Sequence, residues 1–482
     1  MTSPSPAPPA LPDSLLAGLA DAGVVVRTDP ALLAGHCVDW TGAWSGPALG
    51  MVEPRSTEQV RSVLALARTH GVPVQVQGGN TGLVGGSVPD RPALLLRTTG
   101  LQALGAVDPV ERTVVVGAGV TAAALAAHAR AAGLHVGVDL AARDTATVGG
   151  MAATNAGGIA VGAFGMMREQ VRGLTAVLAD GRIVRSVGRP RKDNAGFHLT
   201  GLLVGSEGTL GVITEVEVAL HAIPRSRAVG LVGAADLAEA VALVGAVRSG
   251  GARLLAAEVV DAAGVRRACA ELGLPNPLPG GAEWLLLLEV ADGAQELAAL
   301  GDRVVALATD PADRRRLWAY RERQTELYAA LGAGGPQKLD VSLRLDRLDE
   351  GIAAIRRVVA ESAAGAADSG PGAAGASRGP VESDRPAVVR PEVGVFGHAL
   401  DGNLHVQLLG VPTGTADRVL GAVVGLGGSI SAEHGIGRMK ADLLHLVRSA
   451  DEIAWMRQVK STVDPDGLLN PGVLLADPLP GV

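Results

Sequence analysis

Aromatic residues are scarce in this 482-residue chain, 2% in all, so its core must be built from Val, Leu and Ala. Cysteine is scarcer still. Cys37 and Cys269 cannot form a disulfide framework, and so few thiols exclude a cysteine-ligated zinc or iron–sulfur site within this chain. That usage points to a reducing cytoplasm, with a membrane-peripheral placement as the alternative. A positive charge excess is also missing: a formal charge of −7 and a pI near 5.8 argue against a nucleic-acid partner. No run of about 18 uninterrupted apolar residues occurs, so no transmembrane segment is expected. Residues 1–12 are rich in Pro, Ser and Ala, with neither a basic stretch nor a long apolar one. They read as a disordered tail and not as a signal peptide.

What is present in quantity is glycine, 66 residues, gathered in loops rather than in a repeat. The length sets two or three domains as the expectation. A Ser/Thr cap opens a helix that runs from Ser56 to about residue 70. Strands are expected at 72–76, 94–97 and 113–117, a helix over 120–132, and a hairpin over 174–186 that turns on Asp180-Gly181. A strand over 212–220 leads to Pro224, which marks a boundary. Beyond it strands (229–232, 284–290, 338–343) mix with helices (235–247, 294–307, 313–331, 348–362), which suggests an α+β domain. Residues 363–385 are low-complexity Ala, Gly, Ser and Pro and read as a flexible loop. A helix over 449–463 precedes a turn-rich end.

Three glycine-rich stretches, 77–87, 149–158 and 205–211, string out backbone N–H groups with little side-chain bulk. Such nests bind anions, and a pyrophosphate is the natural one. None matches G-x-x-x-x-G-K-[ST], and none is a G-x-G-x-x-G opening a helix after a first strand. One such loop is uninformative, whereas three joined to strands favour one long ligand gripped at several points.

A second constellation lies near the C-terminal end, in Gly397-His398-Ala399-Leu400-Asp401-Gly402-Asn403-Leu404-His405 and Ser431-Ala432-Glu433-His434-Gly435-Ile436-Gly437. Asp401-Gly402 is a strong signal for a two-residue hairpin loop. That loop pairs His398 with His405, and directly opposed side chains have Cβ atoms roughly 4.5–5.5 Å apart. Two imidazoles at that spacing suit one metal ion, with Glu433 as a third ligand and His434 beside the metal as a base. Glu433 and His434 would face opposite ways on a regular strand, so they share a site only in an irregular loop, which Gly435 and Gly437 permit.

With these motifs the sequence resembles the FAD-linked dehydrogenases of the vanillyl-alcohol oxidase/p-cresol methylhydroxylase family, in the branch of D-lactate dehydrogenases, glycolate oxidase subunits and D-2-hydroxyglutarate dehydrogenases. The match runs from Asp39-Trp40 to Pro471. Its carriers are Pro73 to Pro89, Gly205-Ser206-Glu207-Gly208-Thr209-Leu210-Gly211, the Asp401-to-His405 hairpin, Glu433 to Gly437, and Asp464 to Pro471. The resemblance implies an α+β fold: a PCMH-type FAD-binding domain over 13–223, a substrate- and metal-binding cap domain over 224–460, and a segment over 461–482 that returns to the flavin. It implies FAD contacts from Val76, Gln77, Gly78, Gly79, Asn80, Thr81, Gly82 and Ser87. Further contacts are implied from Thr145, Gly149, Gly150, Ala153, Thr154, Gly157, Gly158 and Ile213, with Asn470 near the isoalloxazine. Covalent members carry a His in the first glycine loop; here Gly79 is followed by Asn80, so FAD is expected to be non-covalent.

The family's metal ligands map to His398, His405 and Glu433, for zinc first and manganese or iron as alternatives. Asn403 and His434 would touch substrate, with His434 the catalytic base. D-2-hydroxyglutarate dehydrogenases grip the substrate's carboxylates with residues that match Arg321, Thr325 and Lys338. Leu339 stands where an aromatic is usual and Leu400 where a glycine is. The expected activity is FAD- and metal-dependent oxidation of a D-2-hydroxy acid, foremost D-2-hydroxyglutarate, by hydride transfer to flavin N5. D-Lactate or glycolate oxidation is one alternative, and a flavin-binding subunit without independent activity is another. The electrons would leave to an external acceptor, an electron-transfer flavoprotein or a quinone, and a homodimer is an open oligomeric state.

Overall fold

The computed structural model describes residues 10–331, 336–368 and 391–476. The expected tail at 1–12 lies outside them except for its last three residues, as does the expected 363–385 loop from residue 369 on. The chain divides into two compact units, Met1–Ile223 with Glu433–Val482, and Pro224–Ala432. The first change of unit falls at Pro224. The return to the first unit comes at Glu433, earlier than the expected 461. The reason is a set of anchors upstream of that point, among them Ile436 and Gly437 on Glu207.

The first unit holds two sheets. One has four strands, β1 (Val26–Arg27), β2 (Ala48–Val52), β3 (Val74–Gln77) and β4 (Ala93–Arg97), in the order β1-β2-β4-β3. The β2–β4 and β3–β4 pairs are parallel. A parallel pair needs a crossover, and the helix Thr57–Thr69 supplies it between β2 and β3. Ser56 caps that helix by accepting the Gln59 N–H, and Val60, Val63, Leu64 and Ala67 make its buried stripe. The other sheet is antiparallel: β5 (Thr113–Gly117), β7 (Val171–Val177), β8 (Ile183–Arg185) and β9 (Val212–Ala222) in the order β5-β9-β7-β8, with β6 (Leu134–Val136) also on β9. One core of Val, Leu and Ala serves both sheets, as the low aromatic content requires.

The second glycine stretch is not wholly a loop. Thr147 caps the Gly150 N–H, and Val148–Thr154 is a short helix that ends at Asn155 in the left-handed region. A side chain at Gly149 would put its Cβ 2.5 Å from the Ala118 Cβ, so only glycine lets this helix lie against the end of β5.

The second unit is built on one seven-stranded antiparallel sheet: β10 (Arg227–Ala234), β11 (Arg253–Asp261), β12 (Trp284–Ala291), β13 (Val304–Ala308), β14 (Gln337–Ser342), β15 (Glu392–His398) and β16 (Asn403–Leu409). Their order is β13-β10-β12-β11-β15-β16-β14. Three expectations need correction here. The expected helix over 294–307 stops at Ala298, and Gly301 at φ 60° turns the chain into β13, whose Val-Val pair finds β10. The helix expected over 313–331 is two, Pro311–Glu322 and Gln324–Ala329. The helix expected to end at 362 runs on through Asp368, because its Ala-rich continuation has high helix propensity. Among the described residues no helix is long and apolar enough to cross a membrane.

Candidate active site: a glycine-lined cavity and a histidine pair

In the first unit the glycine stretches line a single cavity of about 330 Å³. Of the residues expected to hold FAD, the cavity wall includes Val76, Gly78, Gly79, Asn80, Thr81, Gly82, Ser87, Gly149, Gly150, Ala153, Thr154, Gly157, Ile213 and Asn470. Gln77, Thr145 and Gly158 do not line it. Gln77 is buried behind the first loop, where its Nε2 donates to the carbonyls of His36 and Ser87. The Thr145 carbonyl lies 1.8 Å from where a Gly79 Cβ would be, and the Asp139 carbonyl 2.3 Å from where a Gly158 Cβ would be. These three shape the loops rather than the wall. Thr98 and Thr147 line the cavity without having been foreseen, and Glu207 and Gly208 line it from the third glycine stretch, though neither was expected singly as an FAD contact.

Side chains hold the loops from behind. Asn80, at φ 56°, donates to the Val38 carbonyl and accepts from the Ser87 hydroxyl at 2.7 Å, closing the 80–87 loop. Arg438 donates to the carbonyls of Gly85, Val88 and Pro471 and to Gln75 Oε1. Asn470 accepts the Val76 N–H and donates to the Glu207 carbonyl, both at 2.7 Å. The Glu207 carboxylate accepts the N–H groups of Ile436 (2.9 Å) and Gly437 (2.8 Å). Burial pushes its carboxyl above the usual range, against the pull of those two donors. These bonds fix an irregular 433–437 loop, with Gly435 at φ 81° and Gly437 at φ 55°, so neighbouring Glu433 and His434 both reach the wall of the same cavity.

In the second unit the hairpin differs from its expected register. Phe396, not His398, is opposite His405, and Gly397 is opposite Leu404. The turn spans Ala399 to Gly402, four residues instead of two, with the Gly402 N–H on the His398 carbonyl and the Asn403 N–H on Asp401 Oδ1. The shift is by two residues, which preserves the strand's two-residue period, so both imidazoles stay on one face as a diagonal pair. Their ring centroids are 5.8 Å apart at 70°.

Carboxylates stand behind both rings. His398 Nδ1 is 2.5 Å from Glu258 Oε1, and His405 Nδ1 is 3.9 Å from Asp340 Oδ1. Glu258 is 1% exposed, and its other oxygen accepts from Arg321 Nε at 2.6 Å. Burial alone would raise the Glu258 pKa, but His398 and Arg321 together hold it below the usual carboxylate range. Arg321 is buried, with its guanidinium 4.6 Å from the Phe396 ring centroid, and Glu258 is its only hydrogen-bond partner among the described residues. Asn403 is 3% exposed, and neither its Oδ1 nor its Nδ2 has a partner among the described residues. Thr325 and Lys338 are exposed, Lys338 on the edge strand β14 opposite Gln407.

Residues 48–186 match the FAD binding domain model, and residues 223–474 match the model for FAD linked oxidases, C-terminal domain. The mitochondrial D-2-hydroxyglutarate dehydrogenase of Bos taurus is 34% identical over 471 residues, covering 93% of this chain and 81% of that one. The D-2-hydroxyglutarate dehydrogenase of Xanthomonas citri pv. viticola is also 34% identical, over 474 residues, covering 93% and 94%. The chain belongs to the FAD-linked 2-hydroxy-acid dehydrogenase family. The solved structure of p-cresol methylhydroxylase with substrate bound overlays with a TM-score of 0.68 over 96% of each chain at 17% identity, which places the fold in the PCMH class.

A member of this family needs room for FAD, and the cavity fits it. Among the described residues no lysine or arginine lines the wall, so a pyrophosphate there is left to backbone N–H groups of the glycine loops, the arrangement that bare backbone permits. The histidine pair, with its ring nitrogens backed by carboxylates, has the donor chemistry of a divalent-metal site. Glu258 and Asp340 gave a signal that the motif reading did not use. Each is a lone carboxylate inside an otherwise apolar strand, Leu254–Val260 and Leu339–Val341, and a buried charge demands a partner.

Proposed function

We propose that this chain oxidises D-2-hydroxyglutarate to its 2-oxo acid, with FAD bound non-covalently and a divalent metal, zinc foremost, held by His398, His405 and Glu433. The observation that carries the reading is the bridge through Glu258. It sets a guanidinium whose terminal nitrogens have no protein partner among the described residues one carboxylate away from the imidazole pair. A substrate carboxylate and its neighbouring hydroxyl can then be held together. The relatives named above act on D-2-hydroxyglutarate by their names, and the amide of buried Asn403, without a partner among the described residues, offers a further substrate contact. The covalent chain also favours Glu433 as the third ligand. The N–H of Ala432 is held 3.1 Å from Asp340 Oδ2, and Asp340 is opposite His405 across β14 and β16.

When bound, the flavin supplies a hydride acceptor and the ion supplies Lewis acidity that lowers the pKa of the 2-hydroxyl. His434 takes the hydroxyl proton as general base while C2 gives up its hydride, which leaves the 2-oxo acid. Arg321 offers a planar fork to one carboxylate, and Lys338 a point charge to the other, with Thr325 adding a hydroxyl. The two electrons pass on to an external acceptor, an electron-transfer flavoprotein or a quinone.

The distal carboxylate separates this substrate from D-lactate and glycolate. Lys338→Ala should raise KM for D-2-hydroxyglutarate by about 10–100-fold, the cost of one charge-assisted hydrogen bond. KM for D-lactate should stay within about twofold, since lactate has no second carboxylate for that lysine to hold. Steady-state kinetics with an artificial acceptor decides. A wild-type KM lower for lactate, and untouched by the substitution, would assign the chain to monocarboxylates.

A further inference from the structure

We infer that Glu258 is a positioning residue that sets two parts of the site at once, the metal-facing nitrogen of His398 and the substrate-facing fork of Arg321. The inference rests on the metal reading proposed above. Glu258 lies on β11, near the middle of the seven-stranded sheet, directly opposite His398 on β15. It is the single charge in the run from Leu254 to Val260. An ionised carboxylate can only accept hydrogen bonds. At 2.5 Å from Glu258 Oε1, His398 Nδ1 must therefore carry a proton, so in the neutral ring that metal binding requires the lone pair belongs to Nε2. The second oxygen takes the Arg321 Nε–H at 2.6 Å, which fixes the guanidinium plane over Phe396 and leaves the terminal nitrogens to a substrate. Phe396 is in turn opposite His405, so the face that carries the arginine also carries both imidazoles.

One side chain thus answers to two partners with both of its oxygens. Glutamine, of the same size, cannot accept from both: with its oxygen on Arg321, its NH₂ either meets the His398 Nδ1–H or drives that proton to Nε2, the nitrogen a metal needs. The expected result of Glu258→Gln is therefore a joint loss, of metal affinity and of substrate affinity. A residue that merely filled the sheet would lower the melting temperature and leave both affinities alone.

The test uses the full-length flavoprotein. Zn²⁺ affinity is measured by competition with a chromophoric chelator, KM by steady-state kinetics on D-2-hydroxyglutarate, and the His398 tautomer by long-range ¹H–¹⁵N correlation of the metal-free wild type, assigned with His398→Gln. The expected outcome is an Nδ1–H tautomer for His398, Zn²⁺ bound about 10–100-fold more weakly by Glu258→Gln, and a raised KM in the same variant at saturating Zn²⁺. Wild type that binds Zn²⁺ tightly while Glu258→Gln matches it in both constants would overturn the role of Glu258 alone. Wild type without Zn²⁺ binding would overturn the metal reading and this inference with it. An Nε2–H tautomer in the wild type would overturn the inference without needing a folded variant.

Discussion

His434→Ala should lower kcat by about 10²–10⁴-fold, the usual contribution of a positioned general base, with little change in KM. The loop that carries His434 is anchored through the main-chain N–H groups of Ile436 and Gly437 on Glu207, so its backbone should survive the truncation. The cavity wall has many other members, so the flavin should stay bound at its wild-type stoichiometry. Loss of rate with flavin retained is the combination that marks a proton acceptor. A variant with kcat within a few-fold of wild type would remove His434 from the chemistry, and one that loses flavin would make it a wall residue.

Gly79→Ala should produce a chain that purifies without flavin and unfolds at a lower temperature. A Cβ at this position would stand 1.8 Å from the Thr145 carbonyl oxygen and 3.2 Å from the Ala146 Cα. All the atoms it meets are main chain, so no flexible side-chain end can swing away. The first glycine loop and the 145–147 segment would have to part, at a cost at or above the 1–3 kcal/mol typical of overpacked sites. Both segments contribute to the cavity wall, so the damage falls on the flavin site itself. Gly82→Ala is the control for thermal stability, because its Cβ would meet nothing within 4 Å. Flavin absorbance per chain and a melting curve for each variant decide. Full flavin occupancy in Gly79→Ala would mean that the two segments separate easily.

The histidine pair was legible because a strand has a two-residue period. The expected hairpin turned two residues too late, yet an even shift returns His398 and His405 to the same face. The glycine loops were legible as a ligand cradle for a related reason: bare backbone next to strands has few other uses. What could not be read was any feature set by register between distant strands. Glu258 could be flagged as a charge needing a partner, but nothing local says that β11 lies beside β15 and brings His398 to it, 140 residues on. The same limit hid the point of return at Glu433, which depends on Glu207 collecting two N–H groups from a loop some 230 residues away. Gly301 misled in a different way. A single left-handed glycine ended a helix whose apolar pattern continued, and the β-branched pair after it joined a sheet edge.

The central claim, that a flavin and a metal act together on a dicarboxylic 2-hydroxy acid, is tested most directly by anaerobic bleaching of the bound flavin near 450 nm, roughly the oxidised-flavin band. D-2-Hydroxyglutarate, D-lactate and glycolate are added in turn, each with and without EDTA. The account predicts rapid bleaching by D-2-hydroxyglutarate, much slower bleaching by the two monocarboxylates, and loss of the rapid phase after chelation. Equal bleaching by all three, unaffected by EDTA, would contradict both the carboxylate clamp and the metal.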